Sequence, residues 1–534
     1  MRPSAQVTLT ACALVLASVL VLANIVAATS GLDSIRMIQA FSLDEGIAVS
    51  RMKDNLEQFS LDPDGFFYYG NVYHSIAYYC IAFLERFGWT IDTPLAGFVL
   101  RLVSIVSAGL AGFSLWKLGR ICSLPTAIAA SAALALLAMP DFVVFSRMMH
   151  PDALQVLFVV AALGLALCRP TFPFALMSAG TAGLAFGTKY IGAIVLPFGF
   201  LPLAFLTLGR EGLSRQVLRR LFLQGLAMIG TFVAVFALTN PYAAADRGRF
   251  VKVFLWQLNY SSTGYGVIAP ANPLLWLDPL REQFGVVGVV YLLGGFLLAC
   301  VLLLRDFTGV GWRSAFLSAD LRARLVLVLY VLATSAHLAI SIHQRETRFT
   351  YHIVPILLLL STWAVLELVV GLTRTIVPPR WTVAALAASL LAFASVQIGF
   401  DLREMAAVTT KSESPAISFG DFVAQRYPAD TKILADSYTY LPPGMTNVTY
   451  TNLQTDELLN QVAPELIILM RGATGVSVWK KPGTSFSDAT FVKDEHYPVA
   501  PQVEAYLSKL ASPSSGWSVI RENDTEILLQ RNRR

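Results

Sequence analysis

The sequence predicts an all-α polytopic membrane domain of about eleven transmembrane helices, followed by a small C-terminal α/β domain outside the membrane. The chain has 534 residues, of which 55% are hydrophobic and 14% are charged, with a mean hydropathy of +0.60. Soluble proteins carry about 25% charged residues. The apolar residues come in blocks of roughly 20, the length with which a helix crosses a bilayer, and these blocks end near residue 400. The composition excludes a soluble enzyme, a secreted disulfide scaffold and a disordered chain.

The loops between the apolar blocks predict the orientation of the chain. Short loops on one side carry 14 basic residues against three acids, which is typical of the cytoplasmic side. The amino terminus is therefore predicted to be cytoplasmic, and the tail beyond residue 401 is predicted to lie outside. The first block exceeds the ~7–15 apolar residues of a signal peptide, so we expect an uncleaved first span. The predicted spans are 7–29, 97–116, 121–140, 152–168, 172–187, 190–208, 221–239, 285–304, 325–342, 353–372 and 382–400.

Two outer loops are long enough to have structure of their own. The loop of about 30–96 is acidic and contains the aromatic stretch FFYYGNVYHSIAYYCIAFLERFGW. Because Tyr and Phe at this density suit the headgroup level of a bilayer, residues 73–87 are predicted to form a helix along the outer interface. The loop of about 241–284 contains a helical pattern, DRGRFVKVFLWQLNY. The transmembrane domain with these loops is assigned to residues 1–401.

Residues 402–534 are predicted to form the outer α/β domain. The short apolar runs TKILAD, ELIILM, WSVIRE and EILLQ indicate strands, and PQVEAYLSKL indicates a helix. TYLPPGMTN is typical of a turn or loop because of its prolines and glycine. Strands that alternate with helices favour an α/β unit.

Two adjacent acids, Asp44 and Glu45, follow the first span in LDEGIAVSRMKDN. A carboxylate near the bilayer surface, shielded by the aromatic residues of 66–69, could take the proton of an acceptor hydroxyl as a general base. The alternative is a solvated acid that caps the following helix, a position that favours Asp. The two residues by themselves leave both interpretations open.

Asp152 and its neighbours also allow two interpretations. Pro151-Asp152 has the composition of a helix start, with proline in the first turn and a carboxylate that the helix dipole favours. His150 could ligate a metal with Asp152 or His74, but scattered histidines without ligand spacing support a metal site only weakly. The five cysteines show no paired spacing, so neither a zinc site nor a disulfide framework is predicted.

Two basic positions on the outer side could bind a phosphate. Lys189 ends a span in GTKY, where a lone lysine is usually an anchor that extends toward the headgroups. An ammonium there would also stabilise a leaving lipid phosphate. The cluster HQRETRFTYH contains Arg345 and Arg348, and a guanidinium can bind two phosphate oxygens at once. A headgroup-binding belt explains the same arginines, so the alternatives stay open.

Several motifs in order resemble a known group of membrane enzymes. The Asp-Glu pair is followed by a YG-x-x-Y segment, RLVSIVSAGLAGFSLWKLGR, SRMMHPDAL, GLAFGTKYIGAIVLP, NPYAAADRGRF and RETRFTYHIVP. This ordered set resembles the glycosyltransferases of the GT-C fold that use polyprenyl-phosphate sugars. Within them it is similar to the bacterial group of protein O-mannosyltransferases, lipid A aminoarabinose transferases and Rgt-like transferases. The resemblance covers about residues 1–400.

The resemblance implies roles for individual residues. The family has an essential acid in its first outer loop on the acceptor side, and Asp44 is the matching position, with Glu45 completing the pair. The aspartate of the second outer loop matches Asp152, so these three residues are the expected catalytic set. The residues expected to bind the donor phosphate are Lys189, Arg348 and Arg345. The residues expected to line the substrate cavity are Tyr69, Tyr73, His150 and Tyr351.

The resemblance also implies the reaction. It is an inverting transfer of a sugar from a polyprenyl-phosphate donor to a lipid, glycan or protein acceptor at the outer face of the membrane. The family is mostly metal-independent, so no cofactor is required and a divalent metal is weakly supported. The expected partners are donor, acceptor and membrane lipids, with no nucleic acid. The alternatives are an O-antigen-ligase-like transferase that uses a pyrophosphate-linked glycan, and a non-enzymatic lipid or glycan transporter (a flippase), which would need polar groups near the midplane.

Overall fold

A computed structural model of the protein describes residues 3–41, 43–63, 67, 69–263, 273–342, 347–373, 375, 377–409, 415–436, 439–451, 456–470, 510, 512, 515–523 and 526–532. The α-helices are α1 (Pro3–Ala27), α2 (Ile35–Phe41), α3 (Leu43–Glu57), α4 (Val72–Arg86), α5 (Thr93–Ile121), α6 (Thr126–Leu137), α7 (Pro140–Ser146), α8 (Asp152–Cys168), α9 (Phe172–Thr188), α10 (Leu196–Glu211), α11 (Arg215–Thr239), α12 (Pro241–Ala245), α13 (Arg247–Thr263), α14 (Leu277–Val310), α15 (Trp312–Leu317), α16 (Ala319–Ser341), α17 (Val354–Thr373), α18 (Pro379–Thr409), α19 (Pro415–Arg426) and α20 (Asp456–Val462). Three 3-10 helices cover Tyr190–Val195, Pro273–Trp276 and Thr347–Thr350. The strands are β1 (Ile433–Asp436), β2 (Val448–Thr451), β3 (Leu466–Met470), β4 (Trp517–Glu522) and β5 (Glu526–Arg531).

The bundle has a helix at each of the eleven predicted spans. Among the described residues, eight helices are long and apolar enough to cross a membrane. A ninth span results when α6 and α7, which are bent by 69° relative to each other, are counted together. The remaining two predicted spans are α8 and α9, with 17 residues each, at the short end of the ~17–25 residues that cross a bilayer. The prediction of a polytopic α-helical membrane domain is confirmed.

Small side chains bring the central helices close together. Every residue of α6 from Ala127 to Leu137 is buried, and α6 packs against α1, α5 and α18. Its alanines allow the close backbone approach that is typical of helix contacts in membranes. α8 packs between α5 and α9, so the start of α8 and the end of α9 lie at the same end of the bundle. These two termini carry Asp152 and Lys189.

The first outer loop contains three helices, α2, α3 and α4. The predicted aromatic helix of residues 73–87 is present as α4, whose buried face is formed by Val72, Tyr73, His74, Ala77 and Ile81. Large side chains on the other face are exposed, among them Tyr79 (64%) and Phe83 (62%). This two-sided pattern suits a helix lying on a membrane surface, and the surface position itself stays a prediction. In the second long loop, the pattern DRGRFVKVFLWQLNY forms most of α13.

The C-terminal region forms a five-stranded sheet with the order β2-β1-β3-β5-β4. β1 pairs in parallel with β2 and β3, whereas β5 is antiparallel to β3 and β4. The four apolar runs that predicted strands lie in β1, β3, β4 and β5, and TYLPPGMTN is a loop, which confirms the small α/β unit. The predicted helix PQVEAYLSKL lies outside the described residues, except for its last residue. α18 continues through residue 401 to Thr409, so the domain boundary there stays a prediction.

The orientation of the bundle is testable with reporter fusions. We expect an alkaline phosphatase fused after Arg534 to be active in a bacterial host, because the loops of the opposite side are basic. A fusion after Glu211, between α10 and α11, is the matched control and should be inactive, while a cytoplasm-specific reporter should give the reverse pattern. Activity only at Glu211 would invert the predicted topology.

Candidate functional site

The site is built where the loop before α4 crosses the end of α9. A Cβ atom added to Gly70 would lie 1.8 Å from the carbonyl oxygen of Gly187, so both backbones touch. Two further contacts hold the loop there. The Tyr190 hydroxyl donates to the Phe67 carbonyl oxygen at 2.7 Å, and the backbone N–H of Asn71 donates at 2.5 Å to the side-chain oxygen of Asn240, which follows α11. These contacts place Tyr69 beside the residues that follow α9.

Lys189 and Asp152 form a buried ion pair at the centre of the site. Lys189 follows the last residue of α9 with an extended backbone (φ −152°, ψ 128°), which turns its side chain toward the start of α8. Its Nζ lies 2.5 Å from Asp152 Oδ1, and the two residues are 8% and 1% exposed. A lysine that anchors a helix in the headgroups would extend its ammonium outward. Lys189 therefore belongs to the interior site.

His150 connects Asp152 to Arg348. The Nδ1 atom of His150 lies 2.8 Å from Asp152 Oδ2. On the opposite side of the ring, Nε2 lies 3.3 Å from Arg348 Nη1 and 3.4 Å from the hydroxyl of Tyr69. The two oxygens of Asp152 are thus used by two partners, and neither oxygen is left to cap α8 by itself. The site brings together a carboxylate, an imidazole, an ammonium and a guanidinium.

Aromatic rings surround the two cations. The Lys189 ammonium lies 5.0 Å from the centre of the Phe349 ring and 5.8 Å from that of Tyr69. The Arg348 guanidinium lies 5.9 Å from the rings of both Phe145 and Phe349. Such rings hold cations by their negative faces without neutralising them. The rings therefore orient both cations and add no negative charge to the site.

A cavity of about 660 Å³ opens beside Lys189. Its walls are mainly apolar and aromatic, and its polar lining is concentrated at a few positions. The lining residues are Tyr69, Phe186, Lys189, Tyr190, Ile191, Ala193, Ile194, Phe254, Gln257, Leu258, His337, Ile340, Ser341, Ile342 and Phe349. An apolar groove with a cation at one point suits an amphiphilic ligand with a long apolar part and an anionic head.

A second, much smaller cavity of about 30 Å³ lies on the other side of Tyr69, against α3. Its lining residues are Ile47, Ala48, Arg51, Tyr69, His74, Met149, His150 and Pro151. Burial, together with the nearby Arg51 and His150, lowers the pKa of His74 to about 3, so His74 is uncharged at neutral pH. Since Tyr69 lines both cavities, the two spaces meet at this side chain.

Glu45 lies next to the small cavity and is fixed by Arg101. The guanidinium of Arg101 donates to both carboxylate oxygens, with Nε at 3.0 Å and Nη2 at 2.8 Å, and the backbone N–H of Met149 donates to Oε1 at 2.8 Å. Arg101 Nη1 also donates to the backbone oxygens of Ala28 and Ser30. Glu45 thus ties α3 to the end of α1, to α5 and to the segment before His150. Its contacts are those of a positioning residue, and its predicted direct role beside Asp44 stays a prediction.

The other predicted residues fall into two groups. Asp44 is in α3, one position before Glu45, but its side chain lies outside the described residues, as does Arg345 as a whole. Tyr73 and Tyr351 are 0% and 1% exposed and line neither cavity. The Tyr73 hydroxyl donates to the Leu100 carbonyl oxygen at 2.7 Å. Tyr351 packs against Phe142 and Phe145, and the substrate contacts of these two tyrosines stay predictions.

Arg101 and Phe349 contribute to the site and were not predicted from the sequence. The sequence does contain an indication for Arg101, since an arginine within an apolar span requires a partner and the acids of the first outer loop are the nearest candidates. The sequence contains no such indication for Phe349, because an aromatic residue next to Arg348 is equally typical of simple packing. Among the described residues, no three His, Cys, Asp or Glu side chains are grouped as metal ligands.

The Glu45–Arg101 pair predicts a large effect on stability. Glu45→Ala would leave a buried guanidinium without its carboxylate, and such a loss typically lowers the free energy of unfolding by about 3–5 kcal/mol. Thermal unfolding of the purified protein measures this loss. Glu57→Ala is the matched control, because Glu57 is an exposed acid on the same helix and should change stability by less than about 0.5 kcal/mol. Equal melting temperatures for both variants would contradict the structural role of the pair.

Comparison with solved structures identifies this architecture. The chain is similar to ArnT from Cupriavidus metallidurans bound to undecaprenyl phosphate, with 15% identity, a TM-score of 0.54 and coverage of 97% of each chain. The protein has the GT-C fold. This confirms the predicted fold class over the membrane domain and the outer α/β domain together.

Two further solved structures match this GT-C protein. One is ArnT in the apo state (14% identity, 87% of each chain, TM-score 0.46). The other is the oligosaccharyltransferase AglB from Archaeoglobus fulgidus in complex with an inhibitory peptide and a dolichol-phosphate (13% identity, 85% of this chain and 69% of that chain, TM-score 0.45).

The sequence comparison agrees with the fold. Residues 80–241 of this GT-C protein match the model of the dolichyl-phosphate-mannose-protein mannosyltransferase family. The matched segment includes α5, α8 and α9 and therefore His150, Asp152 and Lys189. No match was found among the curated proteins. The family match and the fold agree with the predicted class, a membrane glycosyltransferase.

Proposed function

We propose that the protein is an inverting glycosyltransferase that moves a sugar from a polyprenyl-phosphate donor to an acceptor hydroxyl at the outer face of the membrane. The observation that carries this proposal is the position of Lys189, a cation in the wall of a mainly apolar cavity. Arg348 is connected to Lys189 through His150 and Asp152. The helix that carries Asp44 borders the adjoining small cavity. The candidate phosphate site and the helix that carries the candidate base therefore both border a cavity lined by Tyr69.

The donor would bind with its tail in the cavity of about 660 Å³ and its phosphate between the two cations. Burial of the prenyl chain against rings such as Phe186 and Phe254 contributes roughly 25 cal/mol per Å² of apolar surface removed from water. The ammonium of Lys189 is a compact positive charge, and the planar guanidinium of Arg348 can donate two parallel hydrogen bonds. The two groups therefore bind phosphate oxygens in complementary ways. The apolar tail thus confers affinity, and the cations fix the position of the reacting bond.

In the reaction, Asp44 takes the proton of the acceptor hydroxyl as its oxygen attacks the anomeric carbon. The bond from that carbon to the phosphate oxygen breaks, and its electron pair leaves with the polyprenyl phosphate. Attack opposite the leaving group inverts the anomeric configuration. Lys189 and Arg348 stabilise the negative charge that develops on the phosphate, which is the main electrostatic requirement of this step. Because these cations supply the positive charge, we propose that no cofactor is required.

We further propose a bacterial inner-membrane location with the amino terminus cytoplasmic, so that the transfer takes place on the periplasmic or extracellular side. The acceptor is then a lipid, a glycan or a protein that is exposed there. The basic loops on the opposite side support this orientation.

The test is transfer by the purified protein in the presence of EDTA. A panel of polyprenyl-phosphate sugars is incubated with cell-envelope extract, and products are detected by mass spectrometry. We expect a glycosylated product of inverted anomeric configuration with at least one monophosphate donor. A product formed only from a pyrophosphate-linked glycan would instead establish the ligase-like alternative. Movement of labelled donor across vesicles, without any product, would establish a transporter.

A further inference from the structure

We infer that His150 is a positioning residue that fixes Arg348 for the donor phosphate, so that one carboxylate, Asp152, aligns both cations of the site. The inference rests on the proposed function, and it assigns a positioning task to a histidine that was expected to line the substrate cavity. Lys189 is held by Asp152 directly, whereas Arg348 is held through the imidazole.

The contacts of His150 determine its protonation pattern. A carboxylate only accepts hydrogen bonds and a guanidinium only donates them. Nδ1, at 2.8 Å from Asp152 Oδ2, must therefore carry the proton, and Nε2, at 3.3 Å from Arg348 Nη1, must accept one. A ring rotated by 180° would present carbon atoms to both partners. The imidazole thus has one orientation and one tautomer that satisfies both neighbours.

The backbone around His150 supports the same orientation. His150 precedes Pro151, which restricts the backbone of the preceding residue to extended conformations. Its carbonyl oxygen accepts a hydrogen bond from the Ser104 hydroxyl at 3.0 Å, and the residue is 1% exposed. Asp152 follows two residues later as the start of α8. The imidazole and its carboxylate partner are therefore placed by one rigid segment.

A neutral imidazole has a particular advantage over a carboxylate as the partner of Arg348. A carboxylate in contact with the guanidinium would neutralise the charge that the donor phosphate needs. Nε2 instead accepts a hydrogen bond and brings no negative charge of its own to the guanidinium. The aromatic contacts to Phe145 and Phe349 hold the guanidinium near ring faces, and the hydrogen bond to His150 sets the direction in which it points.

The test measures binding of undecaprenyl phosphate, without a sugar, to the full-length protein in nanodiscs. In His150→Asn the amide nitrogen is close to the Nδ1 position, so it reaches Asp152 but not Arg348. We expect its Kd to rise about 3- to 15-fold, equivalent to one ordinary hydrogen bond. In His150→Gln the longer side chain brings an acceptor oxygen toward Arg348, so this variant should bind more tightly than His150→Asn.

A double-mutant cycle separates positioning from a general packing role. If His150 acts through Arg348, His150→Asn should cause no further loss in an Arg348→Ala background. Fully additive losses, an unchanged Kd for His150→Asn or identical Kd values for the Asn and Gln variants would overturn the inference. Lys189→Ala provides the reference: if neither Lys189→Ala nor Arg348→Ala weakens binding, the proposed donor site itself is wrong. Only variants that elute as single species are compared.

Discussion

Asp44→Asn is expected to reduce sugar transfer by on the order of 10²–10⁴-fold while the protein still inserts and folds. Asparagine keeps the size and much of the hydrogen-bonding shape of aspartate but does not take up the proton of the acceptor hydroxyl. Asp44 lies in α3 immediately before Glu45, whose contacts to Arg101 and to the Met149 N–H hold that helix against the site. Initial rates of product formation with a fixed donor and acceptor measure the effect.

Asp54→Asn is the matched control for this substitution. Asp54 is an exposed aspartate on the same helix, so Asp54→Asn makes the same change in charge and side chain. Asp54 does not line the small cavity. Its transfer rate should stay within about twofold of the parent if exposed acids contribute little. Near-parental transfer by Asp44→Asn would remove Asp44 from the role of base and leave the fold and the donor site unaffected.

Lys189→Ala and Arg348→Ala are each expected to weaken use of the donor by about 10- to 150-fold, with a smaller effect on use of the acceptor. A hydrogen bond to a charged group contributes roughly 1.5–3 kcal/mol, which corresponds to this range. Lys189→Arg should retain only part of the activity, because a larger planar guanidinium replaces a compact ammonium beside Asp152. The apparent affinity for the donor, measured at saturating acceptor, tests all three variants.

The control for the lysine is Lys252→Ala, which removes an exposed cation from α13. It should leave donor affinity unchanged, since an exposed charge contributes little to a buried site. If Lys189 were a headgroup anchor, Lys189→Arg would instead match the parent, because either cation serves that purpose. A parental donor affinity in both Lys189→Ala and Arg348→Ala would exclude these residues from the donor site.

The membrane helices and the strands of the outer domain could be predicted because each depends on local sequence. Apolar blocks, helix-period patterns and short apolar runs are properties of neighbouring residues, and they identified every predicted span as a helix. The aromatic helix α4 was predicted for the same reason. The break before Lys189 was also visible, because a lysine in GTKY interrupts an apolar run.

The pairing of distant residues could not be predicted in this way. Glu45 and Arg101 are 56 positions apart, and His150 and Arg348 are 198 positions apart. Nothing in the local sequence distinguishes Tyr69, which lies between two cavities, from Tyr73, which packs against α5. Both belong to the same YG-x-x-Y segment. The family resemblance selected most of the residues that meet at the site, but it did not predict the Glu45–Arg101 and His150–Arg348 contacts.

The direct pairing of Lys189 with Asp152 also bears on competition from the surrounding bilayer. An anionic phospholipid headgroup carries a phosphate too, so it would compete with the donor for the two cations of the proposed site. With Asp152 in contact, the trio of Lys189, Asp152 and Arg348 carries one net positive charge instead of two. An ordinary phospholipid must then disturb an existing ion pair without having a long prenyl chain to fill the cavity. In the proposed donor site, discrimination would arise from this difference between two ligands, and the Lys189–Asp152 pair would contribute to it.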